Sequence, residues 1–490
     1  MSVTEDGLPI EYDDVALNGR LNSNQSLNGR SPQPQPDTPH AHQSNAGFRE
    51  NGRFRRILLF FGGVILHVVF WDLLVAKIPF VGDWVRSTRP RRFRRWAKRF
   101  RTLAVEMGGV MIKLGQFLSS RVDVLPVEIT EELQGLQDEV PAERPEHILA
   151  AAEAELGDLS AHFSHIEETP LAAASLGQAH RAWLLPSNGR SERGDAVVVK
   201  VMRPNIENIV RTDLSALNIV AKWLMRYRPI RRRADVPALM QEFSRTLWEE
   251  MDYELEAANA ERFAEMYANS DSIYIPAVYR QHSTKRVIVL ENVESLKITD
   301  LEGMKAAGIN SREVAESLLD AYFPQIFEEG FFHADPHPGN LFVRPRDDIP
   351  WSAEDDDERG RPFWLIFIDF GMVGRVPETV KQNLRKVLVS VMQQDGRTLT
   401  EAYSELGFFL PDADLDRISD AQSSILKRMW GRNWLDLANP DPEELKELSQ
   451  EFRDLLFDFP FQVPQDFIYL GRALGMMAGM VSQLDEEISP

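Results

Sequence analysis

Two short strings in the C-terminal half of the chain hold the residue types that phosphoryl transfer requires. Gly330–Val343 reads GFFHADPHPGNLFV, and Ile366–Gly371 reads IFIDFG. Moving a phosphoryl group needs a carboxylate that orients the acceptor and oxygen ligands for a divalent cation. A loop Asp, an Asn five residues on and a later Asp-Phe-Gly supply them in that order. Asp335 and Asn340 have this offset, and Asp369-Phe370-Gly371 follows a β-type run. Each piece alone is a weak signal, whereas the ordered set is a strong one. Two blander readings stand beside it: a turn rich in Pro, His and Asp with Asp369 as a cap, or a metal cluster of His333, Asp335 and His337. The second suffers because alternate spacing on a Pro-containing loop fixes three ligands poorly.

Upstream, AVVVKV (Ala196–Val201) places one lysine among β-branched residues, so Lys200 leaves one strand face while Val199 and Val201 leave the other. A half-buried lysine needs anions, here nucleotide phosphates and a helix carboxylate. The helix EFSRTLWEEMDYELEAANAERF offers Asp252 and Glu256 on one face, with Glu250 diverging. Its bland alternative is an ordinary solvated acidic face. PLAAASLGQ (Pro170–Gln178) lies between the first two strands, where a phosphate-cradling loop would carry glycines. Its alanines still permit close approach but forfeit most of glycine's positive-φ freedom.

These residues must be positioned by a small mixed lobe followed by a larger helical one. HILAAAEAELG reads as a helix, and extended segments follow around His162–Ile166, Gln178–Leu185 and Ala196–Met202; helical patterns dominate from Ile309 onward. Leu103–Leu118 shows helical apolar spacing as one run, with Glu106, Gly109, Lys113, Gln116 and Ser120 sharing a different face.

The set formed by Lys113-Leu114-Gly115-Gln116, Ala172-Ala173-Ala174-Ser175, Lys200, Glu250-Met251-Asp252, His333 through Asn340 and Asp369-Phe370-Gly371 resembles the UbiB/AarF family of atypical protein-kinase-like proteins. The resemblance runs in order over about residues 100–485, and the KxGQ and HADPHPGN strings are specific to that family. It implies an α+β fold, two-lobed and protein-kinase-like, with an N-terminal helical extension over the active site. It implies ATP and Mg2+ as ligands: Ala172, Ala173, Ala174, Ser175 and Lys200 on the nucleotide, Glu256 paired with Lys200, and Glu291 to Val293 as the hinge beside adenine. Asn340 and Asp369 would bind magnesium, with Asp335 in the catalytic position. Lys113, Gln116, Glu250 and Asp252 would regulate access to the cleft. The family supports isoprenoid quinone (ubiquinone or plastoquinone) biosynthesis and lipid homeostasis, so quinone-biosynthesis enzymes and isoprenoid lipids become expected partners. A phosphotransferase or ATPase is the favoured reading; a protein kinase acting on protein substrates and a catalytically idle nucleotide-binding scaffold are the competing ones. Ala334 stands where typical kinases carry Arg, which removes the usual anchor for a phosphorylated activation loop. Ser295 replaces a glycine after the hinge, RPRDDIPWSAEDDDERGRP is longer and more acidic than the family's hairpin, and the chain ends at DEEISP where many relatives continue.

Composition sets the outer limits. A formal charge of -20 argues against general affinity for nucleic acid, and the lack of any cysteine excludes disulfides, thiolate catalysis and Cys-ligated zinc. The expected organisation is a disordered tail (1–52), an apolar and basic membrane-association segment (53–101), the KxGQ extension (102–145), an N-lobe (146–295) and a helical C-lobe (296–490). In the second of these, Ile57–Trp71 is apolar apart from His67, and Asp72 interrupts the run short of the roughly 20 residues a span needs. Arg86–Arg101 then interleaves Phe93, Trp96 and Phe100 among basic residues without one acid, a composition suited to an anionic membrane surface. A buried helix followed by a solvated basic linker is the alternative. The expected location is a bacterial membrane, with the kinase-like domain on its cytoplasmic side.

Overall fold

The computed structural model describes residues 40–78, 81–119, 121, 125–137, 140–186, 194–227, 231, 236–293, 295–352, 360–409, 413–430, 452, 466–485 and 488. The chain starts with helices α1 (His40–Val68), α2 (Gly82–Met107), α3 (Val110–Ser119), α4 (Val127–Leu133) and α5 (Pro145–Leu156). Strands β1 (Phe163–Ala173), β2 (Gly177–Leu184) and β3 (Ala196–Met202) follow. Then come α6 (Ile206–Leu224), α7 (Val236–Glu249), α8 (Tyr253–Met266), β4 (Ile273–Tyr274), β5 (Val287–Glu291) and β6 (Leu296–Lys297). The second half contains α9 (Leu301–Ala306), α10 (Ser311–Phe327), β7 (Phe331–His333), β8 (Leu341–Pro345), β9 (Phe363–Phe367) and β10 (Val373–Arg375). It closes with α11 (Glu378–Met392), α12 (Gly396–Glu405), α13 (Leu415–Met429) and α14 (Asp466–Leu484).

The small lobe is an antiparallel sheet ordered β1-β2-β3-β5, in which Lys200 pairs with Ala179 on one side and Ile288 on the other. Strand alternation buries Val197, Val199 and Val201 against α5, through Ile148 and Ala152, and leaves Lys200 on the opposite face. The large lobe packs α10 and α14 around β7–β9, with Leu318, Tyr322, Phe331, Phe332 and Phe367 fully buried. Its sheet runs β4-β9-β8-β6. Because Ile273 and Tyr274 pair in parallel with β9, the large lobe draws a strand from sequence expected to belong wholly to the N-lobe. Two residues carry too little periodicity to reveal which sheet they join.

The N-terminal region differs from expectation in three places. Helix α1 begins at His40, inside the sequence expected to form a tail; residues 1–39 lie outside the described residues. The apolar run after residue 53 sustains helix, and elongation toward the N-terminus costs less than nucleation. Second, Leu103–Leu118 is not one helix: Gly108 (φ +64) and Gly109 (φ +54) both take left-handed backbone and separate α2 from α3. Glu106 therefore leaves the face shared with Lys113 and pairs with Arg56. Third, α2 runs through the expected boundary at residue 101, so the basic segment and the KxGQ extension form one packed unit.

Arg53 holds this unit together. Its guanidinium makes a bidentate pair with Asp213 on α6, at 2.6 and 2.7 Å, and donates to the carbonyls of Met107 (2.6 Å) and Gly108 (3.1 Å) at the end of α2. Asp213 is fully buried, and burial pushes its carboxyl up against the pull of Arg53. Removing Arg53 leaves that charge uncompensated. Arg53→Met is expected to lower unfolding stability by about 3 kcal/mol, read as a lower urea midpoint; an unchanged midpoint would show that α1 is not fastened through this pair.

Candidate active site

The site lies where one face of α8 meets the loop after β9. Asp252 caps α8 by accepting from Leu255 N, and the helix then presents Glu256, Asn259 and Phe263 at three- and four-residue spacing. Asn259 Nδ2 donates to Phe370 O at 3.0 Å, and the Phe263 ring packs 5.0 Å from the Phe370 ring. These contacts lock Asp369-Phe370-Gly371 beside Glu256. From the opposite lobe Lys200 Nζ reaches Glu256 Oε1 (2.9 Å), Glu256 Oε2 (3.0 Å) and Asp369 Oδ2 (3.0 Å), and lies over the Tyr253 ring.

One ammonium thus serves two carboxylates in a largely dry setting. Burial works against the charge on Lys200, but Asp369 and Glu256 outweigh it and hold the amine protonated, well above its ordinary range. Burial pushes Glu256 up, with Asp369 adding to the rise against the pull of Lys200, to about 7. Burial also acts to raise Asp369, yet Lys200 prevails and leaves that carboxyl at about 2. Although Asp369 sits deep between the lobes, 44% of its side chain opens toward the cavity, so it keeps part of its hydration. Its backbone is left-handed at φ +61, an uncommon conformation for a side chain other than glycine, which Asp tolerates better than most. His333 helps hold it there: this wholly buried imidazole donates Nε2–H to Asp369 O at 2.9 Å, and burial lowers its pKa and keeps it neutral.

Asn340 N accepts its place in the turn by donating to His337 O, and Asn340 Nδ2 donates to Asp335 O at 3.1 Å. Ile368 N donates to Asn340 O at 3.0 Å, which brings Asn340 next to Asp369 and leaves Asn340 Oδ1 unengaged among the described residues. His337 Nδ1 accepts from Gly339 N. The two loop histidines therefore have separate structural roles, and among the described residues no group of three His, Cys, Asp or Glu side chains converges as a metal cluster. A cavity of about 290 Å3 opens here, walled by Asp335, Asn340 and Asp369 below and by Ala173, Ala174 and Ser175 above.

The cavity's roof comes from the extension. Lys113 Nζ pairs with Glu250 Oε2 at 2.7 Å, and Lys113, Gln116 and Glu250 all line the cavity. Other expected site residues lie elsewhere. Asp252 is spent on its helix cap and a 3.3 Å pair with Lys285. Ala172 is in the β1–β2 ladder opposite Ala179. The Glu291 carboxylate accepts from Tyr274 OH and Ala277 N, and neither it nor Val293 lines the cavity; a hinge role for these two would fall to their backbone.

The model of the ABC1 atypical kinase-like domain matches residues 135–403. The chain belongs to the ABC1 atypical kinase-like family. It is 33% identical over 416 residues to the chloroplastic protein ACTIVITY OF BC1 COMPLEX KINASE 7 of Arabidopsis thaliana, covering 84% of this chain and 56% of that one. It is 30% identical over 446 residues to UbiB of Pseudomonas aeruginosa, covering 89% and 79%, and 33% identical over 345 residues to UbiB of Aeromonas salmonicida, covering 70% and 60%. The chain thus spans little more than half the length of the plant relative. Among solved structures, Rv3197 of Mycobacterium tuberculosis in complex with erythromycin superposes with a TM-score of 0.52 at 20% identity, over 82% of this chain and 95% of that one, which is a likeness of fold.

Within this ABC1-family fold, one site residue escaped sequence reasoning entirely. Arg472, on α14, donates Nη2–H to Asp335 Oδ1 at 2.7 Å. Position 334 carries Ala instead of the usual Arg, and a guanidinium reaches the loop from 137 residues away instead. Arg472 belongs to no motif, and its helix reads as apolar packing. Asn259 and His333 had a fainter signal, in their helical spacing from Glu256 and their offset from Asp335.

The titrations have opposite signs. Glu256 holds its proton more tightly folded than unfolded, so its contribution is fully present below its ordinary 4.5 and is lost as pH rises through about 7. Asp369 contributes above its ordinary 3.8, and that contribution is lost only as pH falls through about 2. Buried His333, lowered below its ordinary 6.5, contributes with the opposite sign over part of the same range, so comparison with a variant lacking the Glu256 carboxyl isolates the Glu256 contribution. The nucleotide-free protein is expected to lose stability between about pH 5 and 8 more steeply than Glu256→Gln, as judged by urea midpoints; parallel profiles would contradict the raised carboxyl.

Proposed function

We propose that this ABC1-family protein is an atypical kinase or ATPase that binds ATP with Mg2+ and serves isoprenoid quinone biosynthesis or lipid homeostasis at a membrane. The observation that carries the proposal is the sharing of Lys200 between Glu256 and Asp369 at the edge of a cavity that also receives Asp335 and Asn340. Asp369, whose side chain opens toward the cavity, and Asn340 Oδ1 supply hard oxygen donors of the kind magnesium prefers. Bound there, magnesium would neutralise phosphate charge.

The chain's own residues then have distinct tasks. Lys200, held by Glu256, would meet the nucleotide phosphates with a positioned ammonium. The small side chains of Ala173, Ala174 and Ser175 would let phosphates approach the β1–β2 turn. Asp335, aimed by Arg472, would orient the acceptor or an attacking water and accept its proton. The Lys113–Glu250 pair, on the cavity wall, supports a small or lipidic acceptor, or water, over a protein. Membrane placement draws support from the apolar N-terminal helix and the basic α2 beside it. The quinone assignment draws on kinship with UbiB.

Asp369→Asn is expected to weaken magnesium-dependent ATP binding by at least about tenfold, near 1.4 kcal/mol, and to abolish ATP hydrolysis stimulated by anionic liposomes. Calorimetry showing wild-type affinity in that variant would remove Asp369 from the magnesium role. Arg472→Ala should instead lower kcat by about tenfold or more through misplacement of Asp335, leave KM for ATP within about twofold, and be partly rescued by Arg472→Lys. A matching rise in KM with kcat unchanged would assign Arg472 to nucleotide binding.

A further inference from the structure

Helix continues beyond α1 through a π-helical turn (Val69–Leu74) and a 3-10 turn (Val75–Lys77), so Asn51–Lys77 is long and apolar enough to cross a membrane. Length and composition alone would make it a span. Its partners argue otherwise. Phe60 and Phe61 pack on Phe100 at 5.9 Å, Phe60 and His67 pack on Trp96 at 5.8 and 5.5 Å, and Trp71 packs on Trp84 at 5.9 Å. The π-turn turns Asp72 inward, where only 4% of its side chain is exposed and it pairs with Arg89 at 2.9 Å and Arg92 at 3.2 Å. The apolar segment is therefore joined along its length to α2, the most basic of the described helices.

An aromatic and ionic seam of this kind forbids two arrangements. If the pair crossed together, α2 would carry the cations of Arg86–Arg101 into hydrocarbon, at roughly 2.5–3.5 kcal/mol for each charge at mid-depth. If the apolar segment crossed alone, the seam would open and Asp72 would enter the bilayer without its arginines. Arg53 and the buried Ile57 further tie the start of the segment to α6 and the extension. Yet a stripe of large apolar side chains points to solvent at seven- and four-residue spacing: Leu59 (77% exposed), Leu66 (70%), Phe70, Leu74 and Ile78, continued by Trp84. On α2, Arg91, Arg95 and Lys98 are exposed and have no acidic partner among the described residues.

We infer that the α1–α2 hairpin is a monotopic foot that lies flat on an anionic phospholipid bilayer, with the stripe sunk to the acyl boundary and the basic helix at headgroup level. The chain on either side of the hairpin then stays on one side of the membrane. This deepens the membrane placement proposed above and rests on it. A flat amphipathic helix gains from apolar burial and from attraction between cations and anionic lipid, the two features this hairpin exposes together.

The absence of cysteine makes topology directly measurable. Ser26→Cys reports on the chain before the hairpin, and Glu168→Cys, exposed on β1, reports on the kinase-like domain. Each full-length variant is reconstituted with sealed vesicles of phosphatidylcholine and phosphatidylglycerol and exposed to a membrane-impermeant maleimide before and after detergent. The inference expects both cysteines to label alike before detergent, with no gain after it. It also expects Leu66→Asp with Phe70→Asp to lower vesicle partition at least tenfold, and pure phosphatidylcholine to bind poorly. Opposite accessibility of the two cysteines would establish a span and overturn the foot while leaving membrane placement intact. No vesicle binding by the unsubstituted chain would overturn both. A lipid-free dimer dispersed by Leu66→Asp would assign the stripe to a second copy and overturn the foot.

Discussion

Everything in the cleft depends on one ammonium shared by two carboxylates. Lys200 comes from the small-lobe sheet, Glu256 from a helix and Asp369 from a loop of the large lobe, so a single cluster fixes the spacing of the lobes. Burial raises Glu256 while Lys200 holds Asp369 low, so Asp369 is the carboxylate that faces the cavity as an anion. Around it, neutral groups carry the positioning. Asn259, His333 and Phe263 hold the Asp369 backbone in a left-handed conformation without adding charge. Strain of that kind persists only where neighbours over-determine it.

The cleft is closed by elements that a conventional two-lobed arrangement would not need. The break at Gly108–Gly109 redirects α3, so that Lys113 and Gln116 face the cavity while Ile112 and Leu114 are buried behind them. Glu250 meets Lys113 from the end of α7, just before the cap that starts α8. Roof and cluster are thus coupled through one short stretch of chain, and movement of the extension would be felt at Glu256. From the opposite side α14 brings Arg472 to Asp335. The Asp335 carboxylate is therefore held by α14, the last of the described helices.

The N-terminal hairpin shows how composition and context diverge. As a helix Asn51–Lys77 is long and apolar enough to cross a membrane, although Asp72 interrupts the apolar run within it. In the fold that aspartate is the ionic rivet of the hairpin, and the π-turn that accommodates it lets the helix continue. The same apolar residues are divided between a face that packs on α2 and a face left to solvent.

Local chemistry in the sequence determined much of this protein. The offset between Asp335 and Asn340, the alternation around Lys200 and the Asp-Phe-Gly after a β-run were legible, because each depends on neighbours a few residues apart or on a repeating period, whereas the pairing of Lys200 with Glu256, 56 residues on, followed only from the family resemblance. The kinase-like family was itself legible through those local strings. Only the tertiary structure decided the rest. Arg472 lies on an apolar helix far along the chain, Arg53 finds Asp213 across 160 residues, and β4 joins a sheet with two residues and no pattern. Asp252, whose spacing from Glu256 suggested a shared face, became a helix cap, because a free backbone N–H at a helix start competes for the same carboxylate. Interactions that depend on which distant surfaces meet leave no periodic mark on a chain, and folding alone sets them.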